Sequence, residues 1–179
     1  MLGDVSGSKE TLELAERIKA QTIPAPLHVG EFLLSKFILE LFQLEEAIKS
    51  DDKHAFVIHR TNAYKVGTKA LKISNKTVNI QTEVLKEIGV YYWLIGKQRK
   101  AIQWWRKAIA EGQRLDNRLE LSRTYYEVGK RMMEPKSKNK ELDGIKAEEY
   151  LEKARVMFEE MDLQWDLDEL EKLKLQMGT

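Results

Sequence analysis

Apolar positions in this chain recur three, four and seven residues apart, the spacing that gathers side chains onto one face of a helix. The clearest stretch is 82–117, TEVLKEIGVYYWLIGKQRKAIQWWRKAIAEGQRLDN. Leu85, Ile88 and Tyr92 follow i, i+3, i+7 and fill the seam of a helix pair, while Trp105, four residues after Ala101, plugs the space beside it. Small residues mark where two backbones approach: Gly89 on the first helix, Ala101 and Ala108 on the second, one heptad apart and so on one face. Gly96 ends the first helix with a residue that tolerates a left-handed conformation, and Lys97 to Lys100 make the turn. The second helix runs on through Gly112 and Arg114.

The same reading organises the rest of the chain. Residues 1–7 are small and polar and read as frayed; from Ser8, a helix N-cap, Leu12, Leu14, Ala15 and Ile18 mark a short helix that stops before the stiff joint Pro24-Ala25-Pro26. In 27–50 the apolar residues Leu33, Leu34, Phe37, Ile38, Leu41, Phe42, Leu44 and Ile48 cover most of a helix circumference, which predicts contact on two sides. After a Ser50-Asp51-Asp52 turn and cap, a third helix runs to about Ser74, with Ala63, Gly67 and Ala70 on one face. Residues 76–95 and 98 to about 115 form the central hairpin. Asn117-x-x-Glu120 opens the next helix as a capping box, followed by Leu121, Tyr125, Val128, Gly129 and Met132. Ala147 and Ala154 repeat the small-residue interval, but Ala147 follows Gly129 by more residues than Ala101 follows Gly89. The excess lies in 134–146, EPKSKNKELDGIK, where Pro135 and Gly144 break helix and Lys136, Lys138 and Lys140 line a loop read as mobile and solvated. Tyr150, Leu151 and Phe158 pack the second hairpin. Asp162 or Asp166 then caps a last helix with Leu163, Leu167, Leu170 and Leu173 inside. The expected organisation is 1–26 as a short helix and linker, 27–76 as a degenerate repeat, 77–116 and 117–161 as repeats, and 162–179 as a capping helix.

Composition narrows the function classes. Lys plus Arg is 30 and Asp plus Glu is 29 in 179 residues, so net charge steers the chain toward neither nucleic acid nor anionic membrane. With no cysteine, disulfides, thiolate catalysis and cysteine-based zinc sites are excluded, and a cytoplasmic setting fits. No signal peptide is visible at the N-terminus, and 32–44, interrupted by Lys36 and Glu40, is too short to span a bilayer.

Gly89-x11-Ala101-x6-Ala108, with the large residues around it, resembles a tetratricopeptide repeat (TPR), and the likeness extends over 82–173. It implies an all-α, right-handed α-α superhelix of about eight helices closed by a C-terminal cap. YYWLIGK, EVGKRM followed by EPKSK, AEEYLEKA and MFEEMDLQWDLDELE also resemble the C-terminal repeat segment of large bacterial signalling proteins that carry a class III adenylate/guanylate cyclase domain and an AAA-type ATPase domain upstream. That likeness implies a regulatory tail, a scaffold without either catalytic domain. Its partner would be a protein or peptide segment, including upstream domains of the same chain.

Carrying over the repeat's groove positions gives Lys86, Val90 and Trp93 from one hairpin and Arg123, Tyr126 and Lys130 from the next, an aromatic and cationic lining suited to an extended peptide or an acidic tail; Trp93 and Tyr126 read equally as core, buried against the neighbouring Phe-rich helix. Val90 stands where a chaperone-type carboxylate clamp needs Asn, which disfavours that ligand. His28, His54 and His59 lack metal-ligand spacing and read as solvated. No phosphate loop, nucleophile–base pair or cofactor motif is present, so catalysis is not expected. Two further readings are a homodimerisation module, from the many-sided apolar run 32–44, and a small-ligand sensor with a pocket between repeats.

Overall fold

The computed structural model describes residues 5–21 and 26–177. Among these the protein is all-α, with α1 Val5–Gln21, α2 Pro26–Lys49, α3 Lys53–Ser74, α4 Gln81–Leu94, α5 Gln98–Arg114, α6 Arg118–Met133, α7 Ala147–Glu160 and α8 Gln164–Met177. The frayed reading of 1–7 falls outside the description for residues 1–4, whereas Val5 already begins α1; Pro24-Ala25, in the expected joint, also lies outside it.

Consecutive helices pair as α2 with α3, α4 with α5 and α6 with α7. Members of the pairs then meet in sequence: α2 touches α4, α4 touches α6, and α6 touches α8. One apolar cluster joins α2, α3 and α4 through Leu33, Phe37, Leu44, Ala63, Ala70, Val84 and Ile88. A second joins α4 to α8 through Trp93, Ala101, Trp105, Val128, Ala154, Phe158 and Leu170.

Small residues sit where the helices of a pair cross. A Cβ on Gly89 would lie 2.2 Å from Trp105 Nε1, and one on Gly67 would lie 2.7 Å from the Phe37 ring. On Gly129 it would meet Leu151 at 2.7 Å and the Ala147 carbonyl at 2.9 Å. Ala101, Ala108 and Ala154 are fully buried. The many-sided apolar surface of α2 is accounted for within the chain, since α1, α3 and α4 all pack against it.

Helix ends show local causes and several departures from expectation. Asp52 caps α3, accepting from the His54 and Ala55 N–H groups at 3.0 and 2.9 Å. Asn117 accepts from Glu120 N–H at 3.2 Å, but the Glu120 carboxylate turns to Lys86 instead of completing a reciprocal cap. Gly96 has φ +76°, as a left-handed terminator should. At three other helix-to-helix turns an aspartate takes that conformation: Asp51 at φ 53°, Asp116 at 51° and Asp162 at 53°. Asp tolerates it because its short polar side chain can bond locally. Asp162 is therefore a turn residue, and Asp166 lies within the first turn of α8 instead of capping it. The helix expected to start at residue 76 begins at Gln81; a 3-10 turn, Val78–Ile80, precedes it and buries Ile80 under Gly30.

Residues 134–146 are docked, correcting the reading of a solvated loop. Strands β1 Glu141–Leu142 and β2 Ile145–Lys146 pair antiparallel about Asp143-Gly144, both at positive φ as a tight hairpin turn requires. Leu142 is buried and its carbonyl accepts from the Tyr150 hydroxyl at 3.2 Å. The Gln98 side chain donates to the Lys136 carbonyl and accepts from the Lys138 N–H, each at 2.9 Å.

Candidate functional site

The row α2–α4–α6–α8 carries the groove positions, and helical spacing sets their company. On α4, Glu83, Lys86, Glu87, Val90 and Trp93 fall along the side that meets α2 and α6; Glu120, Arg123, Glu127, Lys130 and Arg131 on α6, with Glu134 just past its end, answer them. Lys86 Nζ donates to Glu120 Oε2 at 3.0 Å and lies 3.4 Å from Glu87. Arg123 makes two bonds to Asp166 of α8, at 3.0 and 3.1 Å. Arg131, 3% exposed, reaches Glu127 at 2.6 Å, Glu134 at 2.8 Å and both oxygens of Glu45 on α2 at 2.8 and 3.1 Å. Arg131 was absent from the sequence-derived set, yet it is the hub that links the first and third pairs.

These contacts correct the expected groove. Val90 and Trp93 are buried, with Trp93 Nε1 donating to Glu134 at 2.9 Å and its ring 5.4 Å from that of Trp105. Both are core, because the α2 and α6 side chains close over them. Lys86 is buried and bonded, and Arg123 is held by α8. Tyr126 is half-buried against Phe158, its hydroxyl donating to the Glu169 carbonyl at 3.4 Å, and Lys130 lies over its ring at 5.8 Å. The cations expected to greet an acidic ligand are thus already engaged by the chain's own carboxylates and rings.

What remains is an excess of acid. Glu45, Glu83, Glu87, Glu120, Glu127, Glu134 and Asp166 surround Lys86, Arg123, Lys130 and Arg131. Burial pushes the Glu87 carboxyl up to about 7; Lys86 opposes the rise, and Glu127, Glu83 and Glu120 add to it. Burial likewise raises Glu83. At Glu127 burial acts upward too, but Arg131 and Lys130 overcome it and hold the group down at about 2. The carboxylates therefore separate: Glu45 and Glu127, bonded to Arg131, are held down, while Glu87, beside a lysine already given to Glu120, is pushed up toward neutrality.

This arrangement has a measurable cost. A carboxyl whose folded pKa is raised from 4.5 to about 7 keeps a proton that the unfolded chain has released, so stability falls as pH rises through that window. Glu87→Gln is expected to gain on the order of 2 kcal/mol at pH 8 and little at pH 4.5. Chemical denaturation of both proteins at the two pH values checks this; an equal gain at both would contradict it.

Elsewhere, His59 Nδ1 lies 2.8 Å from Glu40, a partner the sequence reading did not foresee. Among the described residues no group of three or more His, Asp or Glu is arranged to hold a metal, and no helix is long and apolar enough to cross a membrane. No family model, curated protein or solved structure matches the chain.

Proposed function

We propose that the protein is a non-catalytic TPR-like scaffold whose α2–α4–α6–α8 row forms the inner side of a right-handed superhelix and receives a basic protein segment. The observation that supports this reading is the imbalance just described: Lys86, Arg123 and Arg131 are committed to internal bonds, while Glu83 and Glu87 sit half-buried, raised in pKa and without a full complement of cations. A buried carboxyl that depresses stability at neutral pH is a candidate functional group, because an incoming lysine or arginine would discharge that penalty. The likeness to bacterial cyclase-type proteins suggests a cytoplasmic setting in which the basic segment belongs to an upstream domain of the same polypeptide, making the contact regulatory.

The test uses fluorescein-labelled nine-residue peptides, one alternating Lys with Ala and one alternating Glu with Ala, titrated with the full chain. Anisotropy is expected to report micromolar binding of the lysine peptide and none of the glutamate peptide. Glu83→Gln/Glu87→Gln is expected to weaken the lysine peptide about tenfold, the scale of losing a charged hydrogen bond. Equal binding of both peptides, or an unaffected double variant, would overturn the reading.

A further inference from the structure

Near-zero net charge conceals a strong segregation. Residues 53–114 hold 13 of the 30 Lys and Arg but only three of the 29 Asp and Glu. Two of those three acids, Glu83 and Glu87, belong to the α4 face already described. The outward surface of α3 and α5 is therefore nearly pure cation.

On α5 these charges line a furrow. Three adjoining hollows, of about 520, 410 and 590 Å³, follow one another along the helix. The first two share Trp104 and Lys107, and the second and third share Lys100. Lys100, Lys107 and Arg114 are a heptad apart, forming a stripe that spans ~21 Å at the helical rise. Lys97, Arg99, Arg106 and Lys138 add to the lining. The single carboxylate in it, Glu111, is neutralised by two bonds from Arg114 at 2.9 and 2.6 Å. Among the described residues Lys97, Arg99, Lys100, Lys107 and Lys138 have no carboxylate within ion-pair distance, and the same holds for Lys65, Lys69 and Lys72 on the neighbouring α3.

Aromatic rings interleave with these cations. Lys107 Nζ lies 4.3 Å from the Trp104 ring centre and Lys100 Nζ lies 5.4 Å from that of Tyr92, so each ring fixes an ammonium at the furrow while leaving its N–H groups free to donate. Like charges this dense repel one another unless an anion neutralises them. A row of cations selects a ligand with a negative charge at every repeat, and rings between them select one that also offers flat apolar faces. An acidic peptide supplies the first and not the second.

We propose that the α5 furrow binds single-stranded nucleic acid, with Lys97, Lys100 and Lys107 on the phosphates and Trp104 stacking on a base. The test is fluorescence anisotropy of a fluorescein-labelled fifteen-residue thymidine strand with the full chain, run from 50 to 200 mM salt. A matching duplex and a glutamate peptide of equal charge serve as competitors. Micromolar binding is expected, with log affinity falling linearly in log salt by about 0.7 per phosphate neutralised. Lys100→Glu/Lys107→Glu is expected to weaken the strand at least tenfold and flatten the slope, whereas Lys9→Glu/Lys49→Glu, equal in charge but on α1 and α2, leaves both near the original. Trp104→Ala is expected to lose several-fold in affinity with its slope unchanged, which a merely electrostatic surface would not show. All these residues but Trp104 are exposed, and circular dichroism confirms the fold of each variant. No binding at 50 mM salt, better competition by the glutamate peptide or the duplex than by unlabelled strand, or equal losses in both double variants would overturn the proposal.

Discussion

Gly89→Ala is expected to cost about 3 kcal/mol of stability, although alanine is the better helix former by ~1 kcal/mol. The added methyl would sit 2.2 Å from Trp105 Nε1 and 2.3 Å from Cδ1, and Trp105 is fully buried, so the indole has nowhere to swing. Relief requires α4 and α5 to move apart, which also opens the contact between Trp105 and Trp93. For a chain of this size the midpoint should fall by ~6–12 °C. Gly112→Ala provides the contrast: its methyl would meet Leu121 and Thr82 at 3.2 Å, and small side-chain shifts absorb that. Thermal melts of the two variants should therefore separate widely. Similar midpoints would mean that Gly89 is not the closing point of the hairpin.

Arg131→Met should be costlier still, by about 3–5 kcal/mol at pH 7, because it keeps the side chain's bulk, strips Glu45 and Glu127 of their bonded cation and leaves Glu134 only the exposed Lys136. The loss carries a pH signature. In the native protein Glu127 is held at about 2 despite burial, so its contribution is complete above pH 4.5 and lost as pH falls toward 2. Glu45, which burial raises but Arg131 pulls down further, follows the same sign. Without Arg131, Glu127 keeps only Lys130 and Lys86 to oppose burial and Glu45 only Lys130, so both pKa values rise and the variant loses the stability that the native protein gains with increasing pH. The gap between the two should be smallest near pH 3 and widest above pH 6. A constant gap in denaturant titrations across that range would show that Arg131 acts by packing and not by charge.

The contrast between these two sites explains what a single sequence discloses. Gly89, Ala101, Ala108, Gly129 and Ala154 were legible because close helix approach is a local steric demand with a fixed period. The turns were half legible: Gly96 announces itself, whereas Asp51, Asp116 and Asp162 resemble caps as much as left-handed hinges. Asp143-Gly144 between Leu142 and Ile145 carried a hairpin signal that the surrounding lysines obscured. The ionic network was not legible at all. Glu45 and Arg131 are far apart in sequence, and no spacing rule joins them; only once α2 and α6 both lie against α4 do they meet. Val90 and Trp93 illustrate the same limit in reverse: the resemblance set Val90 toward an expected groove and left Trp93 either there or in the core, and only the closeness of neighbouring helices shows both buried. The alternation of charge between faces was countable in the sequence but masked by a total that cancels.

That alternation underlies the functional account, in which an acidic α4–α6 face and a basic α5 furrow serve different ligands. Backbone amide chemical-shift mapping of the isotopically labelled full chain, first with the lysine peptide and then with the thymidine strand, tests it most directly. The peptide should perturb amides around Glu83, Glu87 and Glu127, and the strand those from Lys97 to Arg114, with the two sets separable when both ligands are present. Perturbation of one shared set by both ligands, or of neither region by either, would contradict the account.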